Sequence, residues 1–470
     1  MSREKDLAKN TVILTFGKIC TQFVSFLLLP LYTAILEPEV YGIADLFNSY
    51  IYLIIPIVSL MLDQGLFRFL LECRNNKNKQ KELLSTVLLI NCVEIIVYTI
   101  IYALIQSHIQ SQYKIFLLID VIINIFLNTY MQFARGIGKT GAYAWGSFLS
   151  ASVTVISNVI LLVGLRIGAW GLFLSTVIGR AVSLIVLMIC VKTWEYFSVK
   201  SFSYQKTKDL LKYSLPFVPN QLSWWVVGVS DRTIISWFLS VAANGLYSVA
   251  NKFSSIYITF YNIFNLSWTE SVSLHINDED SVEFLDSTIN TLFSLFYSVC
   301  IGIIAYMPLF FPILINEKYE EAYLQIPILM LAVLFQVIVG LYSVIYVALK
   351  KSKEIAETSF WAAVINIGVD IALIKFIGLY AASISTLVAY AVMTVYRYFH
   401  IKRYVNVPLK HKMRYCIIAI MVCVSYYLNI LQVNIVTAIL VMMYAIFSNR
   451  VFLLGVIRPF YNKVLNNRRK

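Results

Sequence analysis

Residues 167–182 read IGAWGLFLSTVIGRAV, and residues 377–392 read IGLYAASISTLVAYAV. The two stretches share six identities over sixteen positions, at an offset of 210 residues. Each stretch lies at the end of a run of six apolar blocks, which predicts that a unit of about 200 residues occurs twice in the chain. Because six is an even number, the two copies would enter a membrane in the same orientation and form parallel repeats.

The beginning of the repeated unit shows the same relation at an offset of 203 residues. The aligned pairs are Leu7 with Leu210, Lys9 with Lys212, Thr11 with Ser214, and Gly42 with Gly245. Chance matching between apolar sequences is the alternative explanation. The duplication predicts an N-terminal six-helix bundle at 1–200, a C-terminal six-helix bundle at 201–403, and two additional helices with a basic tail at 404–470.

The composition excludes a water-soluble protein. Apolar residues make up 59% of the 470 residues and charged residues 13%, whereas soluble domains carry roughly a quarter charged residues. The apolar residues fall in blocks of around 20, the length of a helix that crosses a bilayer. We therefore predict an all-α polytopic membrane protein with about 14 transmembrane helices. The predicted spans are 11–36, 40–66, 83–105, 115–134, 142–165, 169–191, 213–238, 245–270, 285–315, 325–349, 355–374, 380–400, 415–431 and 435–456.

The formal net charge of +13 is concentrated in the loops on one side of the predicted membrane. Loops on the side of the N-terminus carry 28 Lys and Arg residues, and loops on the other side carry 4. Positive charge accumulates in cytoplasmic loops, so both termini are predicted to be cytoplasmic. The charge therefore indicates membrane orientation, and no nucleic-acid partner is expected.

Four predicted spans carry polar residues at helical spacing, which places those residues on one face of each span. The four faces are Thr11, Thr15, Lys18, Gln22 and Ser25; Asp45, Asn48, Tyr52, Pro56, Ser59 and Asp63; Ser214, Gln221, Gly228 and Arg232; and Ser248, Asn251, Ser255, Thr259 and Asn262. Polar groups are costly in hydrocarbon, so these faces are predicted to line one central cavity. The predicted polar lining comprises Gln22, Asn48, Tyr52, Gln221, Asn251 and Asn262. Hydrogen bonding between packed helices is the alternative explanation.

Charged residues inside the spans are candidates for substrate binding and ion coupling. Four cations are predicted to hold an anionic headgroup, since Arg offers the paired donors that match phosphate geometry: Lys18, Arg180, Arg232 and Lys252. Asp45 and Asp63 are predicted to carry a coupling proton or sodium ion. Internal ion pairing is the alternative for every one of these residues.

Motifs of enzymatic chemistry are not found in the sequence. The four histidines lie in loops or at span ends, without an HExxH pattern or a Gly-rich phosphate loop. The seven cysteines form no CxxC pair and no cluster with histidine. We therefore expect neither an enzyme nor a bound cofactor or metal.

Several stretches of the chain resemble one family of membrane proteins. They are LAKNTVILTFGKICTQFVSFLLLPLYTAIL followed by EPEVYGIADL (7–46), the pattern LPF…DR…NGLYSVA…K (215–252), and IGAWGLFLST (167–176). With these stretches the chain resembles the Wzx-type polysaccharide flippases of the multidrug/oligosaccharidyl-lipid/polysaccharide exporter superfamily. The pattern at 215–252 is the most specific of the three.

The resemblance implies two six-helix bundles around a central cavity, with two extra helices. It also implies a substrate, an undecaprenyl-diphosphate-linked oligosaccharide that moves from the inner to the outer leaflet of the bacterial cytoplasmic membrane for O-antigen, capsule or exopolysaccharide assembly. Membrane lipids, a polysaccharide polymerase and chain-length machinery are the implied partners. Cations line the cavity of similar flippases, whereas here Asp45 and Asp63 share the polar faces.

Two other functions remain open at the level of sequence. A cation-coupled multidrug exporter would have the same fold. Its cavity is expected to be more acidic, so the four basic candidates argue against it. A membrane enzyme of glycan assembly would need a larger external loop than the roughly ten residues predicted here.

Overall fold

The computed structural model describes residues 26–349, 351–450 and Leu454. The described residues form helices joined by turns and short loops, and they contain no β-strand. Contacts divide the chain into two compact units, 1–245 and 246–470. The all-α polytopic membrane fold is confirmed, whereas the bundle boundaries at 200 and 403 stay predictions.

The first unit contains helices α1 to α10. In chain order they are α1 Leu29–Ile35, α2 Pro38–Val58, α3 Leu62–Glu72, α4 Lys77–Ile105, α5 Ile115–Gly136, α6 Thr140–Asn158, α7 Ala169–Val191, α8 Thr193–Tyr196, α9 Tyr204–Ser214 and α10 Phe217–Phe238. A π-helical segment, Val159–Gly164, continues α6, and short 3-10 helices follow α4 and α8. Helix α11, Val241–His275, begins in the first unit and continues in the second.

The second unit contains the rest of α11 and six further helices. They are α12 Ser281–Leu314, α13 Ile326–Ala348, α14 Ser352–Ile377, α15 Tyr380–Ile401, α16 Lys412–Leu428 and α17 Leu431–Ser448, with a 3-10 segment Glu317–Gln325 before α13. Every predicted span from the second to the fourteenth overlaps at least one helix of the structure. Among the described residues, nine helices are long and apolar enough to cross a membrane, and α16 is a shorter apolar helix.

The second predicted span, 40–66, is interrupted in the structure. Helix α2 ends at Val58, and Leu60 and Met61 adopt left-handed conformations with φ of 48° and 56°. The Met61 N–H donates to the hydroxyl of Ser59 over 3.3 Å, and this bond competes with helical pairing. The residues beyond the break, including Asp63, therefore belong to the separate helix α3.

The core of the first unit lies where α3 packs against α4 and α5. Leu62, Leu66 and Leu70 of α3 are fully buried, and they cluster with Leu84 and Phe133. Lipid chains are as apolar as these side chains, so inside a membrane close packing stabilises such contacts. The core thereby joins α3, α4 and α5.

The two glycines that the repeat aligns, Gly42 of α2 and Gly245 of α11, pack against each other's helix. A Cβ atom on Gly42 would overlap the carbonyl oxygen of Val241, and a Cβ on Gly245 would overlap that of Pro38. Each glycine thus faces the carbonyl group of the residue that lies four positions before the other glycine in the chain. The Asn244 side-chain amide also donates to the Gly42 carbonyl over 3.0 Å. The contact is reciprocal and requires residues without a side chain.

Alanine at Gly42 is therefore expected to destabilise the protein. The added methyl meets backbone, which moves less readily than a side chain, so we expect a loss of about 1–3 kcal/mol. Thermal unfolding of the detergent-solubilised protein measures the effect. Gly302→Ala is the matched control, because a Cβ at Gly302 meets nothing within 4 Å. Equal transition temperatures for the two variants would contradict the close approach of α2 and α11.

The second unit has an aromatic core. Tyr257, Tyr261 and Trp268 of α11 are 1%, 3% and 2% exposed. Both tyrosine rings meet the ring of Phe296 on α12 edge to face. This aromatic face of α11 therefore packs inside the unit, and the polar face of the same helix turns elsewhere.

Candidate substrate site in the membrane spans

An ion pair joins the polar faces of α2 and α10 in the first unit. Arg232 Nε donates to Asp45 Oδ2 over 2.7 Å, and its Nη1 donates to the Gly228 carbonyl over 3.1 Å. The side chains of Arg232 and Asp45 are 13% and 17% exposed. The sequence predicted both residues as site residues, and the structure shows that they bind each other.

Other polar residues surround this pair. Asn48 lies one turn from Asp45 and donates back to the Ala44 carbonyl over 3.0 Å. The Trp225 indole donates to the Ser49 carbonyl over 2.8 Å and fixes α10 against α2. Farther along the same two faces, the side chains of Tyr52 and Gln221 are exposed. The two faces thus lie side by side, with the ion pair between them.

A second ion pair lies between α5 and α7. Arg180 Nη1 donates to Asp120 Oδ2, and the two side chains are 18% and 5% exposed. The second carboxylate oxygen of Asp120 is buried and accepts no hydrogen bond. Removing either partner would leave a charge in a buried environment, which typically costs 3–5 kcal/mol.

Asp63 lies away from both ion pairs, near the start of α3. It accepts a hydrogen bond from the Gln64 side-chain amide over 2.7 Å. It also interacts electrostatically with Glu94 of α4, which is 9% exposed. Like charges on two interacting carboxylates repel each other. Asp63 therefore interacts with another acid, whereas Asp45 pairs with a cation.

The candidates in the second unit all lie on α11. Asn251 and Lys252 are half-buried, and Asn262 is exposed. Ser255 donates to the Asn251 carbonyl over 2.8 Å, and Thr259 donates to the Ser255 carbonyl over 2.7 Å. The Ser255 and Thr259 hydroxyls on this face thus donate hydrogen bonds to backbone carbonyls of their own helix.

Two predicted site residues, Lys18 and Gln22, lie outside the described residues. The described ranges contain no group of three or more His, Cys, Asp and Glu side chains that could hold a metal ion. Within those ranges, the strongest polar features inside the spans are the two arginine–carboxylate pairs. Each pair joins two helices through charge-assisted hydrogen bonds, the strong kind of hydrogen bond.

Sequence reasoning missed the partners of the buried arginines. An acid or a base inside a span must find a counter-charge, so its position in the sequence indicates that a partner exists. The sequence does not tell which two residues pair. Arg397 of α15 lies inside the predicted span 380–400 but was not named as a candidate, and it is 1% exposed. Its guanidinium donates to the Thr358 hydroxyl over 2.7 Å and to the Ser343 hydroxyl. Hydroxyls and carbonyls thus surround this cation.

Solved structures with a similar fold are membrane transporters. The lipid II flippase MurJ in an inward closed conformation matches with a TM-score of 0.69 and 17% identity, covering 97% of this chain and 100% of that chain. An inward-facing multidrug resistance transporter of the MATE family matches with a TM-score of 0.67 and 16% identity, covering 81% and 95%. A transporter of the same superfamily from Pyrococcus furiosus matches with a TM-score of 0.55 and 15% identity, covering 84% of this chain and 96% of that chain. At these identities the likeness shows a shared fold.

Comparison at the level of sequence gives the family. No curated protein matches the chain. The profile described as "Polysaccharide biosynthesis protein" matches residues 7–268, more than half of the 470 residues. This match and the shared fold confirm the resemblance to the polysaccharide exporters of the multidrug/oligosaccharidyl-lipid/polysaccharide superfamily. The chain is a multi-pass membrane protein that belongs to the polysaccharide biosynthesis protein family.

Proposed function

We propose that the protein is a flippase that moves an undecaprenyl-diphosphate-linked oligosaccharide from the inner to the outer leaflet of the bacterial cytoplasmic membrane. The oligosaccharide then enters O-antigen, capsule or exopolysaccharide assembly, where a polymerase and chain-length machinery act on it. Both termini face the cytoplasm in this proposal, and the protein carries out transport without enzymatic chemistry.

The observation that carries the proposal is the Arg232–Asp45 pair in a chain of the polysaccharide biosynthesis family. The pair lies on two neighbouring polar faces, it is 13% and 17% exposed, and it includes a guanidinium suited to a phosphate group. The fold of a lipid II flippase supports a lipid-linked substrate. Four basic candidates within the spans, of which Arg180 is bound to Asp120, favour an anionic headgroup.

The proposed mechanism is alternating access. The polar faces open to the cytoplasmic side, accept the diphosphate and sugars, and then open to the outside while the polyprenyl tail stays in lipid. The diphosphate competes with Asp45 for Arg232, and Asp45 retakes the guanidinium as the substrate leaves. A carboxylate partner suits a transporter, because a site must bind its substrate weakly enough to release it.

Coupling to a proton or sodium gradient is part of the proposal. Asp45 and Asp63 are the coupling candidates, and Asp63 interacts electrostatically with a second acid, Glu94. Protonation of Asp63 would alternate with the opening and closing of the Arg232–Asp45 pair. This alternation would give the transport cycle a direction.

Gene deletion with complementation tests the function. Deletion in the native host is expected to abolish the surface polysaccharide and to accumulate lipid-linked repeat units in the inner leaflet. Wild type should restore the polymer, and Asp63→Asn should restore it with a reduced response to an imposed gradient. Intact polysaccharide together with new drug sensitivity would contradict the proposal and favour a cation-coupled multidrug exporter of the same fold.

A further inference from the structure

An exposed side of α15 contains an apolar groove of about 610 Å³. Its walls include Val392, Val395 and Phe399, whose exposed fractions are 45%, 54% and 63%. These residues follow one another at helical spacing, so together they form a strip about two turns long. An exposed apolar strip of this kind can pack against a lipid acyl chain.

The C-terminal end of this groove is lined by polar and aromatic residues. His400 stacks on the ring of Tyr396 with centroids 5.7 Å apart and an interplanar angle of 11°. Its Nδ1 is 2.8 Å from the Tyr346 hydroxyl. These contacts hold the imidazole through Nδ1 and through the face of its ring.

Two basic side chains, Arg403 and Lys351, lie at or near this end. Arg403 lines the groove, and its residue is exposed. Lys351 Nζ lies 4.8 Å from the ring of Tyr404, which in turn meets the ring of His400 edge to face at 5.6 Å. The neighbouring carboxylate of Glu354 is paired with Lys351 at 3.7 Å.

We propose that this groove binds an acidic glycerophospholipid of the cytoplasmic leaflet. The phosphate lies against His400 and Arg403, and one acyl chain runs along Val395 and Phe399. The groove ends next to the loop 402–414, which the charge distribution predicts to be cytoplasmic. The inference rests on this groove and does not depend on the proposed flippase activity.

Charge complementarity selects the acidic lipid over a zwitterionic one. Any lipid can cover the apolar strip, so the strip alone has no headgroup preference. Basic pockets beside membrane helices on the cytoplasmic side bind acidic headgroups, with a gain of about fivefold in affinity for each Lys or Arg near the surface. The preference must therefore reside in His400 and Arg403.

Lipid retention by the purified full-length protein tests the inference. We expect native mass spectrometry, after exchange into equal amounts of phosphatidylglycerol and phosphatidylcholine, to show at least about fivefold preferential retention of phosphatidylglycerol. The double variant His400→Gln/Arg403→Gln should lose this preference. Lys402→Gln, which removes an adjacent exposed cation outside the groove, should keep it. Val395→Trp should fill the groove and weaken retention of both lipids.

Three outcomes would overturn the inference. Equal retention of the two lipids by wild type would remove the headgroup preference. An unchanged preference in the double variant would place the preference elsewhere. Displacement of phosphatidylglycerol by an equimolar amount of undecaprenyl phosphate would assign the groove to a polyprenyl lipid instead.

Discussion

Arg232→Ala is expected to reduce substrate translocation roughly ten- to a hundredfold. The guanidinium provides charge-assisted hydrogen bonds that are each worth about 1.5–3 kcal/mol, and about 1.4 kcal/mol corresponds to a factor of ten. The rate at which lipid-linked oligosaccharide reaches the outer leaflet, at equal protein levels, measures the effect. Affinity for undecaprenyl diphosphate should fall together with the rate.

Asp45→Asn is expected to slow translocation while raising affinity for the same ligand. In the structure Asp45 Oδ2 accepts from Arg232 Nε over 2.7 Å, so the neutral variant leaves more of the cation for the diphosphate. Tighter binding then delays release. A loss of affinity in both variants would show that the pair acts only to hold α2 against α10.

Arg68→Ala is the matched control for this site. Arg68 pairs with Glu72 across one helical turn, and the two side chains are 48% and 58% exposed. Exposed pairs of this kind contribute about 0–1 kcal/mol. The control should therefore leave translocation and affinity near wild-type values, and a large effect would show that any lost arginine disturbs the protein.

Asp120→Asn is expected to have the largest effect on stability. It leaves Arg180 buried without its counter-charge, and breaking a buried pair in this way costs about 3–5 kcal/mol. Thermal unfolding in detergent should show a large drop in the transition temperature. The double variant Asp120→Leu/Arg180→Met should recover much of the loss, because it removes both charges together.

A double-mutant cycle separates this role from substrate binding. A coupling energy of at least about 1 kcal/mol between Asp120 and Arg180 would establish the pair as structural. If Arg180→Met unfolds at the wild-type temperature but abolishes translocation, Arg180 contacts the substrate and the structural assignment is wrong.

The order of the spans could be predicted from the sequence because apolar blocks of bilayer length are a local signal. Every predicted span from the second to the fourteenth overlaps a helix for this reason. The break after Val58 does not appear in the hydropathy, since Leu60 and Met61 are apolar residues that favour helices. The hydrogen bond from the Met61 N–H to the Ser59 hydroxyl at the break appears only in the folded chain.

The sequence predicted individual residues of the candidate site but not which of them form ion pairs. Helical spacing placed Asp45 and Arg232 on polar faces, because a face depends on one helix alone. Their contact spans 187 positions in the chain and depends on how α2 and α10 pack. The same holds for Arg180 and Asp120, 60 positions apart. The roles of Lys252, Asn251 and Asn262 in binding stay predictions.

The central claim is that this protein moves a lipid-linked oligosaccharide across a membrane. Its most direct test is reconstitution of the purified protein into liposomes that contain undecaprenyl-diphosphate-linked oligosaccharide isolated from the deletion strain. A membrane-impermeant glycosidase then reports how fast the oligosaccharide reaches the opposite leaflet. We predict fast exposure with wild type and slow exposure with Arg232→Ala. Exposure at the rate of protein-free liposomes would contradict the account.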